Sequence, residues 1–554
     1  MQVTCLGGVR TVTGSCFLCR HRNVSFLVDC GMFQGGRDVE KRNRGRFPFD
    51  PSGISAVFLT HAHIDHSGLL PKLVRGGFRG KIYATTATED LCRIMLPDSG
   101  HIQQMEAEWQ TRKNQRLGQP PVEPLYTVED AERTLPFFQE ISYGVPFSPF
   151  PDLTICFRDA GHILGSAFIE ISFPGESGNK KALFSGDLGH PGQFIVRDPE
   201  PPPQADFVFM ESTYGNRLHR PMEDTLEELA GILRQAARDR GKIIIPAFAV
   251  ERTQELLHAL HKLQTEDRIP VLSTYVDSPL AISATTIFRR HPECFDEETL
   301  RVLATGDNPL EMPSLSFSRT AEESQALNEL AGPLIIISAS GMCDAGRIKH
   351  HLKHNLWKPE NHVVIIGFQA QGTLGRKLVE GARKIKIFRE DVTVAAKVHT
   401  LGGFSAHADQ NGLLEWIGKM DPPAGQVFVV HGEESISLEF ASRLKQRFAF
   451  PVQVPHVMED LWLAEPSRDE KMAALAEGDR LVQESAENVL HRIQALSERI
   501  AGQSWETDPV LLHHMEKELR KIRRHAEKLG KMVGVEADRT LSGLPNEIMG
   551  QGQG

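Results

Sequence analysis

The apolar run Ala56-Val57-Phe58-Leu59 leads directly into Thr60-His61-Ala62-His63-Ile64-Asp65-His66-Ser67. A buried strand that ends in three imidazoles and a carboxylate within six positions is a strong metal signal. Neutral His nitrogen and Asp oxygen are the ligands that borderline dications such as zinc prefer. His61 and His63 are two apart, so on an extended strand end they point the same way, while Asp65 and His66 lie beyond the turn and can face a second ion. The competing reading is a polar turn in which Asp65 or Ser67 caps a helix running from about Gly68 to Val74.

The same placement recurs along the chain. Leu153-Thr154-Ile155-Cys156-Phe157-Arg158 reads as a strand followed by Asp159-Ala160-Gly161-His162, and Lys181-Ala182-Leu183-Phe184-Ser185 as one followed by Gly186-Asp187-Leu188-Gly189. Each puts a ligand-type side chain on a glycine-flanked strand end, where a second ligand sphere can approach closely. In series with the histidine turn, His162 and Asp187 complete two ligand sets. Upstream, short apolar strands broken by glycines form a meander that opens a sandwich layer and ends at Asp29-Cys30-Gly31. Asp29 there either orients a ligand histidine or caps the turn. The loop 35–46 crowds Arg37, Lys41, Arg42, Arg44 and Arg46 together, as a solvated face or as a grip on phosphates near the metals.

A chain of 554 residues is too long for one core, so two or three domains are expected. No apolar run is long enough to cross a bilayer, and the first residues lack the pattern of a secretory signal. The 8 cysteines are scattered, which suits reduced thiols. A cytoplasmic protein with no membrane partner is the expectation. In Cys16-Phe17-Leu18-Cys19 a strand would send the two thiols to opposite faces, a structural role. The net charge of −10 argues mildly against a nucleic-acid partner, but phosphate affinity depends on local basic surface rather than on the total.

From Arg217 to about Ala395 helical stretches (224–239, 252–263) alternate with parallel-type strands (242–245, 271–274, 334–337, 363–366) in a doubly wound α/β pattern. Ligands in such sheets gather at the carboxyl ends of strands, which makes Arg252, Ser340, Gly341, Gln371 and Arg376 candidate substrate contacts. Plain turn chemistry is the alternative for the glycine and serine positions. Beyond about Leu463, apolar residues step by four and three along two amphipathic helices joined through Trp505 and Pro509. This predicts a helical hairpin that packs or dimerises, hence a homodimer, with RNA contact by its basic face the weaker alternative.

In order and spacing, Asp29, His61-x-His63-x-Asp65-His66, His162 and Asp187 resemble the motifs of the metallo-β-lactamase fold, an αββα sandwich with zinc ions at its strand ends. Three later segments, Glu211-Ser212-Thr213-Tyr214-Gly215-Asn216-Arg217, Ser405-Ala406-His407-Ala408-Asp409 and Val430-His431-Gly432-Glu433, resemble the extra motifs of the β-CASP nucleases. The resemblance covers roughly residues 1–460. It implies a metallo-β-lactamase domain in two parts (1–215 and 396–462), an inserted β-CASP domain (216–395) and a helical extension (463–554). It also implies two Zn²⁺ per chain: one on His61, His63 and His162, the other on Asp65, His66 and His431, with Asp187 bridging. The catalytic residues it implies are Asp65, His407 as donor of a proton to the departing 3′ oxygen, and Glu211 as the carboxylate that holds His407. The expected activity is hydrolysis of single-stranded RNA to 5′-phosphate and 3′-hydroxyl products, since RNA-acting members resemble this chain in having histidine at the third motif. DNA processing and thioester hydrolysis are the alternatives.

Overall fold

The computed structural model describes residues 1–463, apart from 176, 177, 368, 370 and 371. The expected helical hairpin and Gln371 lie outside the described residues, as does the side chain of Arg37. Among the described residues the strands form two seven-stranded sheets, a six-stranded sheet and a two-stranded ribbon. The first sheet runs, in spatial order, Asp460–Trp462, Gln2–Gly7, Cys16–His21, Val24–Val28, Ala56–Phe58, Lys81–Thr85, Phe138–Ile141. The second runs Val452–Gln453, Gln426–Val429, Phe207–Met210, Gly178–Phe184, Ala167–Gly175, Leu153–Asp159, Phe147–Phe150.

Side chains alternate along a strand, and both faces of these sheets are buried. Phe17 and Cys19 face the core between the sheets, with Phe26, Phe58, Phe157, Phe184, Phe209 and Phe428. Cys16 and Leu18 face the other way, so the thiols of Cys16 and Cys19 part as expected, and all eight cysteines are free and buried. The inner layer is aromatic: Phe209 stacks on Phe184 at 4.4 Å and on Phe428 at 4.8 Å between ring centroids. Burial of each such ring contributes roughly 1.5–3 kcal/mol. Leu70 and Leu73 of helix Leu70–Arg75 and Leu91 and Leu96 of helix Thr86–Gln115 pack with Leu27, Val57 and Ile82 outside the first sheet. Trp416 and Ile417 of helix Gln410–Gly418 and Phe440 and Leu444 of helix Glu434–Arg447 do the same with Leu183, Val208 and Val427 outside the second. The layers are therefore αββα.

Register explains why ligand-type residues from distant segments meet at one edge. Val24–Val28 and Ala56–Phe58 are parallel with Val28 opposite Phe58, so Asp29 emerges beside Thr60. Gly178–Phe184, Phe207–Met210 and Gln426–Val429 are also parallel, with Phe184 opposite Phe209 and Met210 opposite Val429. Asp187, Glu211 and His431 consequently leave their strands at a common end.

The third sheet, Leu315–Phe317, Ser273–Val276, Leu334–Ser338, Lys242–Pro246, His362–Ile365, Lys397–Thr400, is parallel throughout. Ile243 and Ile245 face one apolar cluster and Ile244 another, as a doubly wound sheet requires. Two details differ from the sequence reading. The strand expected at 271–274 begins at Ser273, and the sheet extends past 395 because Lys397–Thr400 pairs with His362–Ile365. One apolar cluster is continuous from Ile163 and Leu164 to Ala249, Val250, Ile282 and Phe288, so the insertion shares a core with the sandwich. No helix among the described residues is long and apolar enough to cross a membrane.

Candidate metal centre

His61 and His63 follow the strand Ala56–Phe58, and His162 follows Leu153–Asp159. The structure brings them together: His63 Nδ1 lies 3.1 Å from His61 Nε2 and 3.3 Å from His162 Nε2. Asp187 Oδ2 is 3.6 Å from both His61 Nε2 and His162 Nε2. A second group forms alongside it from Asp65, His66 and His431. There His66 Nε2 is 3.2 Å from His431 Nε2, and His431 Nε2 is 3.6 Å from Asp65 Oδ2. Asp187 turns its other oxygen to this group, with Oδ1 3.3 Å from His66 Nε2 and 3.1 Å from His431 Nδ1. One buried carboxylate thus faces both groups.

Hydrogen bonds outside the groups fix which nitrogens point inward. His162 Nδ1 donates to the carbonyl of Ala406 at 3.1 Å, leaving Nε2 with its lone pair toward the centre. His66 Nδ1 donates to Asp29 Oδ2 at 2.7 Å, and Asp29 also accepts from the Thr60 amide at 2.8 Å and from the Thr60 hydroxyl. Asp29 itself sits at a positive φ of 59° at the end of its strand. Gly31 is needed close by, because a Cβ there would lie 1.6 Å from the carbonyl oxygen of Asp65. Gly186, at φ 53°, likewise leaves no room for a Cβ beside Thr60.

These residues fit a pair of dications. Inward nitrogens at 3.1–3.3 Å cannot all hydrogen-bond to one another, and the contacts of the buried Asp187 Oδ1 with His431 and His66 lack hydrogen-bond geometry. Burial, reinforced by neighbouring imidazoles, holds His61 and His162 well below the ordinary imidazole range and His63 at about 4. Neutral imidazole is the ligating form. His66 behaves oppositely: burial pulls it down, but the charges of Asp187 and Asp29 more than reverse this and raise it well above its usual value. A cation there competes with that proton. Asp29→Ala is expected to weaken metal binding by about 10- to 100-fold, the usual effect of losing a partner that orients a ligand. Zinc titration against a competing chelator checks this, and unaltered affinity would separate Asp29 from the centre.

Beside the shared Asp187 lies a carboxylate-imidazole pair. Glu211 Oε1 is 3.4 Å from His407 Nδ1 and accepts from the Leu188 amide at 2.6 Å, while Oε2 accepts from the Thr213 amide at 3.2 Å. Glu211 is fully buried and close enough to Asp187 and His431 to form a third ligand-capable group, yet both its oxygens are already engaged. His407 belongs to none of these groups. Burial lowers its pKa, but the charges of Glu211 and Asp187 outweigh that and lift it to about 9. Asp65 is held below the usual carboxylate range: burial pushes it up, and the nearby His431 and His66 together outweigh it. His63, Asp65 and His407 remain half-buried and mark the open side of the centre.

The expected substrate contacts are placed less uniformly. Arg42 lies with its guanidinium 3.8 Å from the Phe33 ring centroid and bonded to the Leu6 carbonyl at 3.4 Å. Arg252 pairs with the buried Glu255 at 2.7 Å, and Arg376 with Glu380 at 2.7 Å. Ser340 bonds within its own loop, accepting from the Ala345 amide, and Gly341 packs under the ring of Phe248, which is 45% exposed. Sequence reasoning missed His219, whose Nε2 donates to the His407 carbonyl at 2.9 Å and whose amide donates to Asp409 at 2.9 Å. Its signal is its position two residues after the Glu211–Arg217 motif. Sequence reasoning also missed Glu251.

Two imidazole groups sharing a carboxylate on the strand ends of an αββα sandwich define a metal-dependent hydrolase. Residues 9–247 match the metallo-beta-lactamase superfamily, 253–378 the Beta-Casp domain and 391–455 the Zn-dependent metallo-hydrolase RNA specificity domain. Ribonuclease TTHA0252 of Thermus thermophilus is 39% identical over 447 residues, spanning 81% of this chain and 96% of that protein. Transcription termination factor FttA of Thermococcus kodakarensis is 31% identical over 484 residues, spanning 84% and 71% respectively. The chain belongs to the β-CASP family of metallo-β-lactamase-fold hydrolases.

Proposed function

We propose that the protein is a zinc-dependent ribonuclease that hydrolyses phosphodiester bonds of single-stranded RNA to 5′-phosphate and 3′-hydroxyl products in the cytoplasm. The observation that carries this reading is the Glu211–His407 pair, a cationic imidazole 3.9 Å from the carboxylate shared by two ligand groups. The ribonuclease among the relatives supports RNA as the substrate. His61, His63 and His162 would hold one zinc and Asp65, His66 and His431 the other, with Asp187 on both. Such a pair of ions supplies an activated water and neutralises charge on the phosphate. The chain's own residues do the rest. Glu211 takes the Nδ1 proton of His407 in a hydrogen bond, which leaves Nε2–H to be delivered to the departing 3′ oxygen. Asp65, kept ionised by His431 and His66 together, faces the same open side.

The zinc-loaded protein should cleave end-labelled RNA, leave 5′ phosphates, and spare single-stranded DNA and a thioester. Equal cleavage of DNA would favour the DNA-processing reading, and product lengths give the endo- or exonucleolytic mode.

The apolar stripes after residue 464 support a homodimer. A chain ending at Ala464 keeps the Leu463 amide bonded to the Met1 carbonyl at 3.0 Å and the strand Asp460–Trp462 beside Gln2–Gly7. It should therefore bind zinc and cleave RNA, yet run as a monomer in light scattering. Dimeric mass with cleavage lost would refute this role for the extension.

A further inference from the structure

Glu251 lies outside every ligand group, yet three features single it out. Its backbone forms a γ-turn, with φ 67° and ψ −65° and the Arg252 amide bonded to the Val250 carbonyl at 2.9 Å, a conformation that non-glycine residues rarely adopt. The residue is 2% exposed, and Oε1 has no hydrogen-bond partner among the described residues. Oε2 accepts from the Leu164 amide at 3.1 Å, two residues past His162. The ordinary role for an acid at the start of helix Arg252–Thr265 would be capping, but Glu251 makes no side-chain cap bond. Strain and an unpaired buried oxygen at one residue are retained where the surroundings over-determine them.

The bonds of the loop 161–166 show what is over-determined. The Gly161 amide donates to Asp159 at 2.9 Å, the His162 and Ile163 amides to Ser166 Oγ at 2.9 and 3.2 Å, and the Leu164 amide to Glu251. The Gly165 carbonyl accepts from Thr85 and Thr88 at 2.6 and 2.8 Å. Of these partners only Glu251 belongs to the inserted domain. We propose that Glu251 is a positioning residue that ties the His162 loop to the insertion, so that His162 takes its ligating geometry only with the insertion seated. This rests on reading His162 as a metal ligand. Burial, and then the neighbouring Glu255, push the Glu251 carboxyl well above the ordinary acid range, so glutamine is its isosteric mimic.

The test uses the full chain loaded with zinc. Glu251→Gly should release zinc to a chelator about tenfold faster and lose about tenfold in kcat on an RNA oligomer with KM unaltered. Its melting temperature should change little, because relief of the γ-turn and removal of the buried acid offset the cavity and the unpaired Leu164 amide. Glu251→Gln should match the unaltered protein in all four measurements. Should Glu251→Gly fail to fold, Glu251→Asp, one methylene too short for Leu164, gives the same readouts. Unaltered zinc release and kcat in Glu251→Gly overturn the proposal. So does a loss in Glu251→Gly that comes with a marked fall in melting temperature, which marks a packing role alone, or an equal loss in Glu251→Gln, which keeps an acceptor for the Leu164 amide. Zinc release decides even if the unaltered protein leaves RNA intact, so failure of the ribonuclease reading is distinguishable.

Discussion

The His407→Ala protein should keep two zincs, bind RNA and cleave it about 10²- to 10⁴-fold more slowly, the usual contribution of a positioned acid. His407 is outside all three ligand-capable groups, so its loss removes a proton donor rather than a ligand. The protonated form is the active one, so the rate should fall as pH rises through the His407 pKa, which Glu211 and Asp187 lift to about 9. A dication on Asp187 cancels part of the pull of that carboxylate, so in the loaded enzyme this limb lies lower, and it should vanish in His407→Ala. A substrate with sulfur in place of the 3′ oxygen needs little protonation. It should rescue His407→Ala, rescue Glu211→Gln in part, and leave His431→Ala inactive. Zinc loss from His407→Ala, or from Glu211→Gln, would reassign the pair as ligands.

Asp187→Ala should lose metal from both groups and activity with it. Each carboxylate oxygen is within 3.6 Å of two ring nitrogens of a different group. Removing it also unbalances the centre. Asp187 is held well below the ordinary carboxylate range: burial opposes this, and His431, His66 and His407 outweigh it. Without that charge His407 and His66 each lose a stabilising partner, so both titrate lower. Elemental analysis showing two zincs retained in Asp187→Ala would refute the shared carboxylate.

The centre was legible because its side chains sit just past apolar runs, and parallel register converts that local pattern into proximity. His61 and His63 could be read alone. Glu211 and His431 could not, since nothing in Phe207–Met210 or Gln426–Val429 says that the two strands are neighbours. The third sheet was legible as a class, but short strands rich in isoleucine and valine do not declare their ends, hence the shift at Ser273 and the missed Lys397–Thr400. Arginines were the least legible. A sequence shows the charge of Arg42 and Arg252 but not the ring or carboxylate each engages. Glu251 escaped notice for a similar reason: a γ-turn at glutamate leaves no compositional mark.

The pairing of Phe207–Met210 with Gln426–Val429, and of Gln2–Gly7 with Asp460–Trp462, has a consequence for how the protein is made. Thr4 bonds to Asp460 across 456 positions, and Ser212 to Val430 across 218. Contacts this distant in sequence form late and slowly, and synthesis delivers the N-terminal part first. A ribosome-bound chain presents the imidazoles of the first turn long before His407 or His431 exists to complete the centre. A chain cut anywhere inside the insertion, by stalled translation or by a protease, yields an N-terminal piece with metal-binding side chains but no proton donor. The interleaved order of segments thus confines hydrolytic capacity to molecules whose synthesis and folding have gone nearly to completion.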